Sequence, residues 1–132
     1  MLEGPVITFQ RILFPVDFSK QDHEAARFVK AMATRFQSEV ILLHVVGVVP
    51  AWYGATEAEA LTPVGGLQEL MEARRQRLCR HLSDELAGLW VKRLVELGDP
   101  ASEIEKCARD QKIDLIMMPT HGYGPFRRFL DP

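Results

Sequence analysis

Cysteine is scarce in this chain, with two residues, Cys79 and Cys107, among 132. Neither belongs to a Cys-x-x-Cys pair or a Cys/His group with metal-ligand spacing, so the sequence encodes no disulfide scaffold and no metal site. Both fall in helical patterns and read as small apolar core residues of a reducing cytoplasm. An excess of either charge is also missing. Sixteen Lys and Arg stand against 18 Asp and Glu, a formal net charge of −2, which argues against nucleic acid or an anionic membrane as partner. Long apolar runs are lacking too. None approaches the ~18 residues of a membrane span. The segment Met1–Thr8 has neither the basic nor the apolar region of a signal peptide, so the expected location is the cytoplasm. His23, His44, His81 and His121 show no ligand spacing and read as surface or core histidines.

What is present is alternation. With 47% apolar and 26% charged residues, residues 1–132 read as a single ordinary globular domain. Arg11–Val16 is a short apolar run closed by Asp17, and its Pro15 belongs near the strand end, where a lost ladder bond matters least. Ser19 and Asp22 have the spacing of a capping box. The helix they open is expected to run to about Phe36 and to bury Ala25, Phe28, Val29, Met32, Ala33 and Phe36. Glu39–Val46 is continuously apolar, as in a parallel strand covered on both faces. The connection 47–66 is rich in Pro and Gly but carries Trp52, Tyr53 and Leu61, a composition that fits a lid or contact surface as well as a plain excursion.

A second helix is expected over 67–86, with Arg74, Arg75 and Arg77 on its solvated face. Trp90–Leu97 is a more polar strand suited to a sheet edge. Gly98-Asp99-Pro100 gives a turn, an N-cap and a first-turn proline for a third helix ending near Gln111. Asp114–Met118 is a fourth, buried strand that opens into Thr120-His121-Gly122-Tyr123-Gly124. The order βαβαβαβ predicts an α/β fold with an open, doubly wound parallel sheet and right-handed crossovers. In such sheets ligands collect at the carboxyl ends of strands.

Ile12-Leu13-Phe14-Pro15-Val16-Asp17-Phe18-Ser19, Val40–Val45, Gly98-Asp99-Pro100-Ala101 and Thr120-His121-Gly122, in this order and spacing, resemble the universal stress protein family from about Phe9 to Leu130. The resemblance implies the adenine nucleotide alpha hydrolase-like fold with strand order 3-2-1-4, a fifth strand after it, frequent dimers, and an adenine-nucleotide site in some members. For such a nucleotide it implies Pro15, Val16, Asp17 and Val45 near base and ribose, and Met118, Pro119, His121 and Gly122 along the phosphates. Arg127 or Arg128 would supply counter-charge. Asp17 can accept from ribose hydroxyls or simply hold the strand-to-helix turn; Val45 can offer its backbone or be plain core. The ATP-binding branch carries Gly-x-x-Gly, a spacer, then Gly and Ser or Thr. Here Pro119 and Pro132 stand where the first and third glycines are expected, and a proline has no N–H to donate. ATP binding is therefore expected to be weak. A chain shortened before the terminal Gly-Ser and the fifth strand, or an altered terminus, accounts for the pattern, and the bare fourth strand then predicts a dimer or higher oligomer. Catalysis is not expected, since no residue of the loop is paired with a base. Three readings follow: a regulatory adenine-nucleotide binder of the stress response, an interaction module without nucleotide, or a slow ATPase or autophosphorylating protein, for which the sequence supplies no base and no metal carboxylate cluster beyond Asp17.

Overall fold

Five residues, Arg11–Pro15, form the strand β1 at the heart of the sheet. The computed structural model describes residues 8–47 and 66–119. After β1 come α1 (Lys20–Phe36), β2 (Glu39–Gly47), α2 (Leu67–Arg80), β3 (Trp90–Gly98), α3 (Pro100–Asp110) and β4 (Leu115–Ile116). The order across the sheet is β3-β2-β1-β4 and every pairing is parallel, as the alternation predicts. Register runs Ile12 to Val40 and Leu115, and Val40 to Val91.

Two apolar layers cover the sheet. Ile12, Phe14, Val16, Val40 and Leu42 meet Ala26, Val29 and Ala33 of α1 and Leu78 of α2 on one face. Leu13, Ile41, Leu43 and Val45 meet Ile104 and Cys107 of α3 on the other. Residues of one strand alternate between these faces, which is why β2 is apolar throughout. Pro15 is the last residue of β1. Arg11 and Leu13 accept from Asp114 and Met117 on the β4 side, so by alternation the missing N–H of Pro15 faces the edge where β4 has already ended.

Four local expectations need correction. Ser19 does cap α1, but with no side-chain bond, because Asp22 turns inward and accepts the N–H of Phe18 instead. The buried line of α1 is therefore Asp22, Ala26, Val29 and Ala33, while Phe28 is 70% exposed and hangs beside β4. The second helix stops at Arg80, short of Leu86. Arg93 donates from Nε to the Leu78 carbonyl (2.9 Å) and from its guanidinium to the His81 carbonyl (3.2 Å). Those are the acceptors that Leu82 and Glu85 would need to continue the helix. The chain passes through extended His81 and left-handed Leu82 (φ 61°) and still buries Leu82 and Leu86. Finally, β4 is a half-exposed edge with Ile116 41% exposed, not a buried strand, and β3 lies at the opposite edge as its polarity suggests.

The third helix begins as the sequence implies. Asp99 accepts the N–H of Ser102 at 3.0 Å with Pro100 in the first turn. Gly98 is required before it: φ is +152°, and a Cβ there would stand 2.8 Å from Glu103 Oε1. Of the two cysteines, Cys107 is buried and burial pushes its thiol up, but Cys79 is exposed on α2 and is no core residue.

Candidate functional site at the carboxyl ends of the central strands

The crossovers reverse between β1 and β4. The connection from β1 to β2 runs through α1 on one face, and that from β3 to β4 runs through α3 on the other. This switch of layer between neighbouring strands leaves, at the carboxyl ends of β1 and β4, the crevice where ligands bind in open α/β sheets. Asp17 leaves β1 into that crevice, and Met118 and Pro119 leave β4 beside it.

The structure fixes the backbone on the β1 side tightly. Val16 donates its N–H to the Leu43 carbonyl at 2.8 Å. Its own carbonyl accepts from Nδ1 of His44 at 3.0 Å. Asp17, partly exposed, accepts the N–H of Ser19 through Oδ1 at 3.0 Å, the local turn bond typical of Asp; Oδ2 has no protein partner among the described residues. The turn-holding role of Asp17 is thus seen directly, with one carboxylate oxygen left over. The side chains of Pro15 and Val16 are buried, and Val45 is 5% exposed in the layer against α3. On the β4 side Met118 and Pro119 line a cleft of about 350 Å³ with Gln21, Glu24, Ala25, Phe28, Val29 and Met117. This cleft is mostly apolar in its lining and does not include Asp17 or Val45. Of the residues expected on sequence grounds, Pro15, Val16, Asp17, Val45, Met118 and Pro119 come to one end of the sheet. His121, Gly122 and Arg127 lie outside the described residues, as do Trp52 and Tyr53.

A cluster that the sequence reading treats as scattered sits directly behind Asp17. Phe18 adopts a left-handed backbone, φ 65°, which a bulky residue holds only when its surroundings compel it. Its N–H is taken by Asp22 Oδ2 at 2.8 Å. Its ring packs on His44 and His81, with centroids at 4.4 and 4.9 Å. The Arg77 guanidinium covers the ring at 4.1 Å. His81 donates from Nε2 to Asp22 Oδ2 at 2.8 Å, and His23 pairs with Glu85. Asp22 is wholly buried, and its Oδ1 and the Ser19 hydroxyl have no partner among the described residues.

Chemistry fixes the state of His44. A carbonyl only accepts and a guanidinium only donates. With Val16 O at Nδ1 and Arg74 at Nε2, 3.1 Å away, the ring must be neutral with its proton on Nδ1. Burial lowers its pKa; the Val16 bond and Asp17 pull the other way, and Arg74 and Arg77 add to the lowering. Arg74, half-buried against His44, therefore does not belong to a solvated face; Arg77 is exposed as expected yet lays its guanidinium over Phe18, and Arg75, paired with Glu72, is exposed too. His23, His44 and His81 converge on one corner through pairs that pattern reading does not see. No three His, Cys, Asp or Glu residues among those described are grouped to hold a metal ion, and no described helix is long and apolar enough to cross a membrane.

Residues 8–131 match the sequence profile of the Universal stress protein family. The universal stress protein MJ0577 of Methanocaldococcus jannaschii is 31% identical over 94% of this chain and 84% of its own length. Universal stress protein Sll1654 of Synechocystis is 31% identical over 92% and 73%. The solved structure of MJ0577 superimposes with a TM-score of 0.66 at 30% identity, covering 88% of this chain and 78% of the other. A Burkholderia pseudomallei protein of the same family gives 0.65 at 23% identity over 96% and 91%, a likeness of fold.

Proposed function

This chain belongs to the universal stress protein family, and from that premise we propose that it is a cytoplasmic stress-response protein that binds an adenine nucleotide weakly and acts by binding, not by fast chemistry. The observation that carries the reading is the crossover reversal beside β1, with Asp17 at the strand end presenting a carboxylate oxygen without a partner among the described residues, to which ribose hydroxyls can donate. Base and ribose would lie against Pro15, Val16, Asp17 and the backbone of Val45, with phosphates along Met118, Pro119, His121 and Gly122 and countered by Arg127. A universal stress protein 15% identical to this chain has been solved in complex with cAMP, which makes an adenine nucleotide the first ligand to try.

Pro119 weakens the phosphate side. Each hydrogen bond to a charged group contributes roughly 1.5–3 kcal/mol. One lost backbone donor is thus worth about one to two decades in affinity. The test is calorimetric titration of the whole chain with ATP, AMP and cAMP, beside Asp17→Ala and Pro119→Gly. The expected result is a dissociation constant for ATP well above the low micromolar range, a loss with Asp17→Ala and a gain with Pro119→Gly. Absence of binding by the wild type and Pro119→Gly alike overturns the nucleotide reading.

A second reading has its own observation. The β4 edge carries exposed Ile116, Phe28 stands exposed in the cleft with Met117 on the α1 face, and a bare apolar edge invites another strand. On this reading the chain is an interaction module that works as a dimer through that edge. Light scattering at high micromolar concentration decides it: a monomer in both wild type and Ile116→Lys removes the second reading.

A further inference from the structure

α2 is weakly held. Among its 14 residues only Leu78 is buried, and Leu67 at its start is 40% exposed. Besides the Arg93 bond to the Leu78 carbonyl, two arginines spaced for one face of a helix reach from α2 to the sheet end. Arg74 donates to His44 and Arg77 covers Phe18. Both recipients belong to the structure that shapes the loop after β1. His44 holds the Val16 carbonyl, and Phe18 holds the strained turn that follows Asp17.

We propose that Arg74, His44 and the Val16 carbonyl form a relay through which the conformation of the Val16–Ser19 loop and the seating of α2 control one another. The atoms allow only one polarity along it. Arg74 must donate to Nε2, which keeps the proton on Nδ1, which must donate to Val16. Withdrawing the guanidinium removes one of the two bonds that select that tautomer, leaving only the Val16 carbonyl to hold it, and lets the ring also carry its proton on Nε2 and release the carbonyl. Loosening the loop, conversely, moves His44 away from Arg74 and Phe18 away from Arg77. The relay makes His44 and Arg74 positioning residues that touch no ligand themselves. Its consequence for nucleotide rests on the reading above: a ligand that fixes Asp17 fastens α2, and by reciprocity the seating of α2 raises affinity for that ligand. The charged and titratable groups facing His44 are Arg74 and Arg77 from α2 and Asp17 from the β1–α1 turn. Asp22 and His81 stand behind Phe18.

The test uses the whole chain without ligand first. Imidazole ¹⁵N shifts of His44 are expected to show the Nδ1–H tautomer in the wild type and a mixture in Arg74→Ala, with Arg74→Lys restoring the wild-type pattern. Hydrogen exchange at Val16–Asp22 and along α2 is expected to rise together, about fivefold, in Arg74→Ala. An unchanged tautomer, or faster exchange in α2 with none in the loop, overturns the relay. ATP is then added to wild type and Arg74→Ala. Protection of α2 by ATP and an affinity about fivefold weaker in the variant support the coupling, whereas protection of the loop without α2 refutes it. Failure of both proteins to bind ATP would count against the nucleotide reading alone, since the ligand-free measurements have already decided the relay.

Discussion

Replacing Asp22 by Ala should be among the most damaging single changes in this chain. The carboxylate is fully buried, accepts from the Phe18 N–H and from His81, each at 2.8 Å, and leaves Oδ1 without a partner among the described residues. Two hydrogen bonds to a charged group contribute about 1.5–3 kcal/mol each. Relief of the unpartnered Oδ1 returns about 1–3 kcal/mol. Breaking a buried pair by deleting one side generally costs about 3–5 kcal/mol. A net loss of about 3 kcal/mol is expected, a large part of a typical stability of roughly 5–15 kcal/mol. For a domain of this size that is a fall in melting temperature of about 9–15 °C. Asp22→Asn keeps an acceptor for Phe18 and should lose only about 1–2 kcal/mol. Urea denaturation of Asp22→Ala, His81→Ala and the double variant measures the pair. The single losses should exceed the double by about 1.5–3 kcal/mol. A loss below about 1 kcal/mol for Asp22→Ala, or additivity within about 0.5 kcal/mol, refutes the account of Asp22 as the pin between α1, Phe18 and His81.

The pKa of His44 is lowered in the fold, so between that value and the unfolded value of about 6.5 the unfolded chain binds more protons. Stability should therefore be fully present above about pH 6.5 and fall as acid is added, read from urea midpoints between pH 8 and 5, with the decline shallower in His44→Phe. Gly98→Ala forces a Cβ against Glu103 at a backbone angle few side chains adopt and should lose about 1–3 kcal/mol by the same denaturation. Asp99→Ala removes the cap on α3 and should lose about 1 kcal/mol. Trp90→Arg, at a position 80% exposed, should shift stability by less than about 0.5 kcal/mol; a larger loss would show that the ring is covered.

Elements whose cause is local were legible in the sequence. The Val40–Val46 run specifies a two-sided strand, and Gly98-Asp99-Pro100 specifies a turn, cap and helix start. What escaped has its cause elsewhere in the chain. Arg93 ends α2 from a strand 12 and 15 residues away. His81, 59 residues from Asp22, draws a carboxylate into the core at a position that local pattern assigns to a cap. Phe28 fits the apolar period of α1 yet faces outward, because the period fixes which residues share a face and not what lies opposite it. In the site, the residues leaving β1 and β4 follow from strand order. The tautomer of His44 and the engagement of Arg74 follow only from coordinates.

The placement of β1 carries a consequence for how the chain is made. Its Ile12, Leu13 and Phe14 end wholly buried, and one flank of the strand is closed by partners about a hundred positions later. Arg11 donates from its N–H to Asp114, 103 residues on, and from its guanidinium to the Gln111 carbonyl, 100 residues on. At a synthesis rate of roughly 5–20 residues per second, the nascent chain carries that flank open for about 5–20 s. During that time β2 and α1 can already assemble on β1, giving an intermediate whose unsatisfied side is the one β4 later occupies. Closing so long a loop is entropically slow. The interval before β4 arrives is therefore when a chaperone, or a second nascent copy, has its best access to a strand that ends almost wholly buried.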